Sequence, residues 1–310
     1  MTEFTWAMPV VLDLFFASLA AGAFCFAVLV SRKEGPGFSL AARASAILAP
    51  VSVGFGLSML IFDLRYKTRF WYTMTIVNGE SPMSLGVWLL TLFSAMAIFY
   101  ALFWLPYDMR SRIPVIGGWS LWSRVRLRDV LGLAGLPVAL LVSIYTGVLL
   151  SATSVPLWRN PVLPALFCFS GLATGFAAGF LAALLFSPGK RNDLLAGPFL
   201  WLLSAYRVLL TAYLLSAVLY VLWFFAPGIR REPLFSLITG VSGLIFWMGA
   251  LGLGIVLPMV LAFARTKTGY GRACAVLAAL LLGGLLLRLI LIYIGQVQVM
   301  AFLNLLVYVP

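Results

Sequence analysis

The 310-residue chain contains no histidine. That absence removes the commonest haem ligand and a major zinc ligand, so neither a b-type haem nor a resident metal is expected in this chain. Charge is scarce too: 10% of residues are charged, and only 9 are acidic. A water-soluble domain carries about 25%. Cysteine is limited to Cys25, Cys168 and Cys274, each in an apolar segment far from the others. No metal-ligand spacing is present, so they read as small core residues rather than cluster ligands or a disulfide framework.

What remains is apolar: 63% hydrophobic residues and a mean hydropathy of +1.08. This is the composition of an all-α integral membrane protein. The net charge of +12 would suit a nucleic-acid partner, but the basic residues sit in short loops between apolar runs. They read as topology signals beside a lipid bilayer, with no nucleic acid involved. The N-terminus carries Glu3 and no early Lys or Arg, and its apolar run is too long for a signal h-region. It reads as a first span rather than a cleavable signal.

Windows of about 20 residues predict eight transmembrane helices, at 7–31, 43–63, 84–105, 130–151, 163–186, 198–225, 234–263 and 273–297. Pro258 is the candidate kink in the seventh. An even number puts both termini on one side. The loops after odd spans hold Arg32, Lys33, Arg43, Arg110, Arg112, Arg124, Arg126, Arg128, Lys190, Arg191, Arg265, Lys267 and Arg272. The opposite loops hold Arg65, Lys67, Arg69, Arg159, Arg230 and Arg231. The excess places both termini outside, which is periplasmic in a Gram-negative cell, although the 65–69 cluster opposes it.

Two segment pairs suggest a duplication. Phe16 to Gly22 (FASLAAG) resembles Phe169 to Gly175 (FSGLATG), and Ile144-Tyr145-Thr146-Gly147 resembles Ile292-Tyr293-Ile294-Gly295. Spans one to four and five to eight would then be two four-helix bundles, residues 1–151 and 152–310. The alternative is chance similarity between apolar segments. The small residues of these motifs also have a plain packing role.

Ionisable groups inside spans are costly and mark candidate sites. Asp13 lies about six residues into span one, roughly 9 Å from its outer end. Asp63 closes span two, Tyr145 lies in the outer half of span four, Arg288 lies near the middle of span eight, and Tyr293 lies nearer its outer end. Asp13 or Asp63 is expected to neutralise Arg288, either as a structural salt bridge or as part of a polar pocket. Arg207 in span six has no assigned role. At the outer surface, the Asp63–Tyr72 stretch with Arg69 and Trp71, and the loop with Trp158 and Asn160, mix aromatic and polar residues. They form either an aromatic belt or a docking surface for an external subunit.

Several pieces, in order over some 280 residues, match one family: Leu19-Ala20-Ala21-Gly22-Ala23-Phe24; Asp63-Leu64 with Arg69-Phe70-Trp71; Ser81-Pro82-Met83-Ser84 with Gly86 and Trp88; Tyr145-Thr146-Gly147-Val148-Leu149-Leu150; Pro156-Leu157-Trp158 with Asn160; Ser170-Gly171 with Thr174-Gly175; and Leu287-Arg288 with Tyr293 and Gly295. On these residues the chain resembles the NrfD/PsrC family, the membrane subunit of polysulphide reductase and its relatives.

The resemblance implies two four-helix bundles with both termini on the periplasmic side of a bacterial or archaeal inner membrane. It implies a menaquinone or ubiquinone site near the outer surface and no haem in this subunit. The implied partners are a periplasmic four-cluster, ferredoxin-like iron–sulfur subunit and a molybdopterin or multihaem catalytic subunit. Asp13 is then the candidate proton acceptor and Tyr145 the partner of a quinone oxygen. Arg288 would set the local field and hold Asp13 or Asp63, while Ser84 and Trp88 line the pocket beside Tyr293. The resemblance implies an acidic pair in span six, as in many members, where this chain has Tyr206 and Tyr213. That departure favours proton release outside over proton pumping. The competing readings are a multi-span transporter, which would want a midplane site, and a passive anchor for an outer enzyme.

Overall fold

The computed structural model describes residues 8–63, 79, 81–105, 125–263 and 269–307, with side chains through residue 62 in the second helix and residue 297 in the last. In hydrocarbon no water can satisfy backbone N–H and C=O groups, so apolar runs of this length close their hydrogen bonds internally as helices. Among the described residues eight result: α1 Met8–Val30, α2 Pro36–Asp63, α3 Pro82–Trp104, α4 Val125–Ser151, α5 Leu163–Phe186, α6 Arg191–Trp223, α7 Gly240–Phe263 and α8 Tyr270–Val307. All eight are long and apolar enough to cross a membrane.

Helices α2, α4 and α6 begin five to seven residues before the predicted spans. A helix does not stop where hydrophobicity stops. The first turns of α4 and α6 carry Arg126, Arg128 and Arg191 outside the apolar core. Ser81 caps α3 by accepting the Ser84 N–H, and Pro82 occupies the first turn, where its missing N–H costs nothing.

The seventh span departs most from expectation. The predicted run from 234 breaks at Thr239–Gly240: a short helix, Glu232–Ile238, ends there, and Gly240 adopts φ +64°, which favours glycine. Within α7, Ile245–Val256 is a π-helix, and α-helix resumes at Leu257, one residue before Pro258. Proline in an α-helix loses one hydrogen bond and crowds the carbonyl four residues back, here Gly254. The irregular stretch ends two residues before Pro258, which itself lies in the resumed α-helix.

Helix α1 packs on α2, α4 and α5; α3 bridges α2 and α4; α5 also touches α2, α4, α6 and α8; α7 packs on α6 and α8. The apolar windows of α1 and α5 are 83% and 72% buried, against 33–50% in the other six, so these two form the centre. Their crossing is built from the two similar motifs. A Cβ on Gly22 would meet the Gly171 carbonyl and Gly175, and one on Gly175 would meet the backbone of Gly22 and Ala23. The obstacle is backbone, which cannot swing aside, so only glycine permits this approach.

The loop after α4 acts as a pin. The Trp158 indole N–H donates to the Leu291 carbonyl of α8 at 2.8 Å, and its ring lies against Gly295. The Asn160 amide donates to the Tyr220 carbonyl of α6, while the Tyr220 hydroxyl donates back to Leu157. Trp158→Phe is expected to lower the thermal unfolding midpoint in detergent. It keeps an aromatic ring but loses a buried hydrogen bond, a loss of about 0.5–1.5 kcal/mol. An unchanged midpoint would show that the pin contributes nothing.

Candidate functional site

Asp13 is 6% exposed, inside an apolar helix, and its Oδ1 has no hydrogen-bond partner among the described residues. The space it occupies exists because α2 presents Gly56, where a Cβ would sit 3.1 Å from that oxygen. On the adjoining helices, the Tyr145 ring of α4 lies directly on Gly86 of α3, and any larger residue there would overlap the phenol. Tyr145 is half-buried and near enough to Asp13 for the two to interact electrostatically. One carboxylate and one phenol are thus brought together by α1 and α4, with glycines of α2 and α3 making the room. A buried carboxylate with a free oxygen is costly unless a proton or a ligand group meets it.

Arg288 is buried completely. The expected pair with Asp13 does not form: among the described residues the only ion pair joins Arg128 to Asp129. Instead the guanidinium donates to the Ser18 hydroxyl of α1 at 2.7 Å and the Ser170 hydroxyl of α5 at 3.0 Å. It also donates to the carbonyls of Gly284 and Phe167. The rings of Phe15 and Phe167 lie 5.6 and 5.0 Å from its centre and add cation–π attraction. Its Nε makes no hydrogen bond to a described residue. Hydroxyl dipoles, carbonyls and ring faces therefore replace a countercharge, because α1 and α5 cross too closely here to admit a longer acidic side chain. Tyr206 donates to the Ala173 carbonyl, and Arg207 to that of Ala262.

The remaining predicted residues are placed differently. Ser84 is half-buried near the start of α3. Trp88 and Tyr293 are 46% and 60% exposed and face outward from the helices. Trp158 and Asn160, expected on a docking surface, are buried at 2% and 1%; the loop after α4 turns both inward as structural pins and leaves Pro156, Arg159 and Pro161 exposed. Arg69, Trp71 and the side chain of Asp63 lie outside the described residues. Sequence reasoning missed Ser18, Ser170, Gly56 and Gly86. Ser18, Ser170 and Gly86 stood within the motifs only as small or hydroxylated residues, which packing alone explains as well, and Gly56 lay outside every motif.

Eight apolar helices holding a buried carboxylate, a phenol and an arginine with no countercharge among the described residues define a polytopic membrane protein with a polar site sunk among its helices. The chain belongs to the polysulphide reductase NrfD family, whose model matches residues 1–300. One of the chains of the polysulfide reductase of Wolinella succinogenes is 31% identical over 307 residues, covering 94% of both proteins. Protein NrfD of Escherichia coli is 31% identical over 308 residues, 95% of this chain and 96% of that one. A subunit of the selenate reductase of Mesobacillus selenatarsenatis is 23% identical over 287 residues, 83% of this chain and 66% of that one.

Proposed function

We propose that this protein is the haem-free membrane subunit of a respiratory reductase complex, exchanging electrons between the menaquinone or ubiquinone pool and a periplasmic iron–sulfur subunit. A molybdopterin or multihaem subunit would complete the pathway. Family membership and the relatives' names, which make them parts of multi-chain reductases, support this reading. The helix neighbours support two bundles, 1–151 and 152–310: α1 to α4 close one ring, α5 to α8 another, and α1 meets α5 between them. The excess of basic residues after odd spans supports periplasmic termini.

The observation that carries the proposal is the buried Asp13 oxygen with no partner among the described residues, beside Tyr145. A quinone fits this pair, since its ring is apolar and its oxygens need a proton acceptor and a hydrogen-bond donor. When bound, a quinol would supply two electrons, for the iron–sulfur subunit, and two protons, which Asp13 would accept and release in turn. The Tyr145 hydroxyl, which makes no hydrogen bond to a described residue, donates to an oxygen of the ring. Arg288 contributes a fixed positive field from the α1–α5–α8 crossing, and the apolar helix walls exclude water. Tyr206 and Tyr213, buried in α6, are not ready proton carriers, which favours proton release on the outer side.

The irregular α7 is a feature that a transporter would also use. No charged residue occurs anywhere in Gly240–Phe263, so this irregular helix offers a transported ion no side-chain countercharge. The test is purification of the tagged protein in mild detergent, with metal analysis and a menaquinol-oxidation assay on the same sample. Co-purifying iron–sulfur protein with inhibitor-sensitive oxidation is expected. A lone, iron-free protein without quinone would overturn the reading.

A further inference from the structure

A groove of about 570 Å³ lies between α2 and the end of α5, on the seam where the first four helices meet the second four. Its walls are apolar, including Leu40, Ile47, Val51 and Phe186, and its polar groups are Arg43 and Ser187. The size falls within the range of about 300–1,000 Å³ typical of small-molecule sites. Val51 and Phe186 are 62% and 83% exposed, so the groove opens to whatever surrounds the helices.

Arg43 separates this groove from ordinary lipid-facing surface. It sits two turns into α2, half-buried, with no hydrogen bond or ion pair to any described residue. Arg207 and Arg288, deeper in their helices, are bonded: Arg207 to Ala262, and Arg288 to two serines and two carbonyls. A guanidinium at the edge of hydrocarbon needs an anion or water. Among the described residues no acidic side chain lines the groove, and exposed Lys190, three residues past Ser187, adds a second positive charge to this end of the molecule.

We propose that the groove binds an anionic phospholipid. Its phosphate pairs with the Arg43 guanidinium and bonds the Ser187 hydroxyl, and one acyl chain lies along Leu40, Ile47, Val51 and Phe186. Guanidinium and phosphate match as a bidentate pair. Basic pockets between transmembrane helices are recognised sites for anionic headgroups. Hydrocarbon walls do not by themselves distinguish one lipid from another, because lipid tails are as apolar as the groove. Selectivity therefore resides in Arg43, and the acyl chain fills the seam between the two sets of helices.

The test is native mass spectrometry of the full-length protein, with any subunits that co-purify, titrated with phosphatidylglycerol or phosphatidylcholine. Phosphatidylglycerol is expected to be retained preferentially. Arg43→Gln should lower its retention about fivefold, the effect of one basic group near a lipid surface, and leave phosphatidylcholine unchanged. Val51→Trp, at an exposed position, should fill the groove and lower the retention of both lipids. Equal phosphatidylglycerol retention by the wild type and Arg43→Gln would overturn the proposal. So would full retention by Val51→Trp, or a copurified quinone that Val51→Trp expels while phosphatidylglycerol stays.

Discussion

Asp13→Asn is expected to lower quinol-dependent turnover by about 10²–10⁴-fold, the usual weight of a positioned general base, while the complex still assembles. Asparagine has nearly the same volume, so the contact with Gly56 survives. It cannot accept a proton and hold it. Stability should not fall, because the native carboxylate is buried with one oxygen unpaired and the amide removes a charge from that position. The two readouts separate function from folding: yield and unfolding midpoint stay level while turnover drops. Tyr145→Phe is the companion variant. Its ring still lies on Gly86, so only the hydroxyl is lost, and a smaller loss of turnover is expected. Unchanged turnover in Asp13→Asn would remove the carboxylate from the mechanism and return the buried acid to a structural role.

The eight spans are legible because a bilayer leaves a polypeptide few options: long apolar runs become helices, and their hydropathy announces them. The break at Gly240 is not legible, since the residues on both sides are equally apolar and a positive φ leaves no trace in hydropathy. The two similar motifs at Phe16–Gly22 and Phe169–Gly175 were visible, but not that they would pack on one another, with glycine backbones in contact. Arg288 was legible as a buried cation, and its partners were not. A lone charge suggests a countercharge, and Asp13 lies at a plausible depth. The structure satisfies the guanidinium with Ser18 and Ser170, hydroxyls that look like small packing residues in sequence. Trp158 and Asn160 fail for a similar reason. Aromatic and amide residues at a helix end look interfacial, yet a single hydrogen bond to Leu291 and another to Tyr220 turn them inward.

Arg288→Met and Arg288→Ala should part company, and the difference identifies what the arginine is for. Methionine fills much of the same volume without charge. A fully buried cation with no carboxylate partner among the described residues and an unbonded Nε is a standing cost. Replacing buried ionic groups by apolar ones of similar size is often neutral, or stabilising by about 1–4 kcal/mol. Arg288→Met is therefore expected to unfold no earlier than the wild type. Alanine leaves a cavity where α1, α5 and α8 meet, and should cost about 2–5 kcal/mol, as large-to-small core changes do. Turnover tells the rest. At an effective dielectric of about 20, a unit charge roughly 10 Å from a reacting group is worth about 1.7 kcal/mol, or somewhat over tenfold in rate. Quinol oxidation by Arg288→Met should fall by about that factor even though the protein is at least as stable. The combination of lost activity and kept stability has one physical meaning: the positive charge is retained for its field and not for the fold. A Met variant as active as the wild type would instead make Arg288 a helix-crossing device, bonded to Ser18 and Ser170 for register alone.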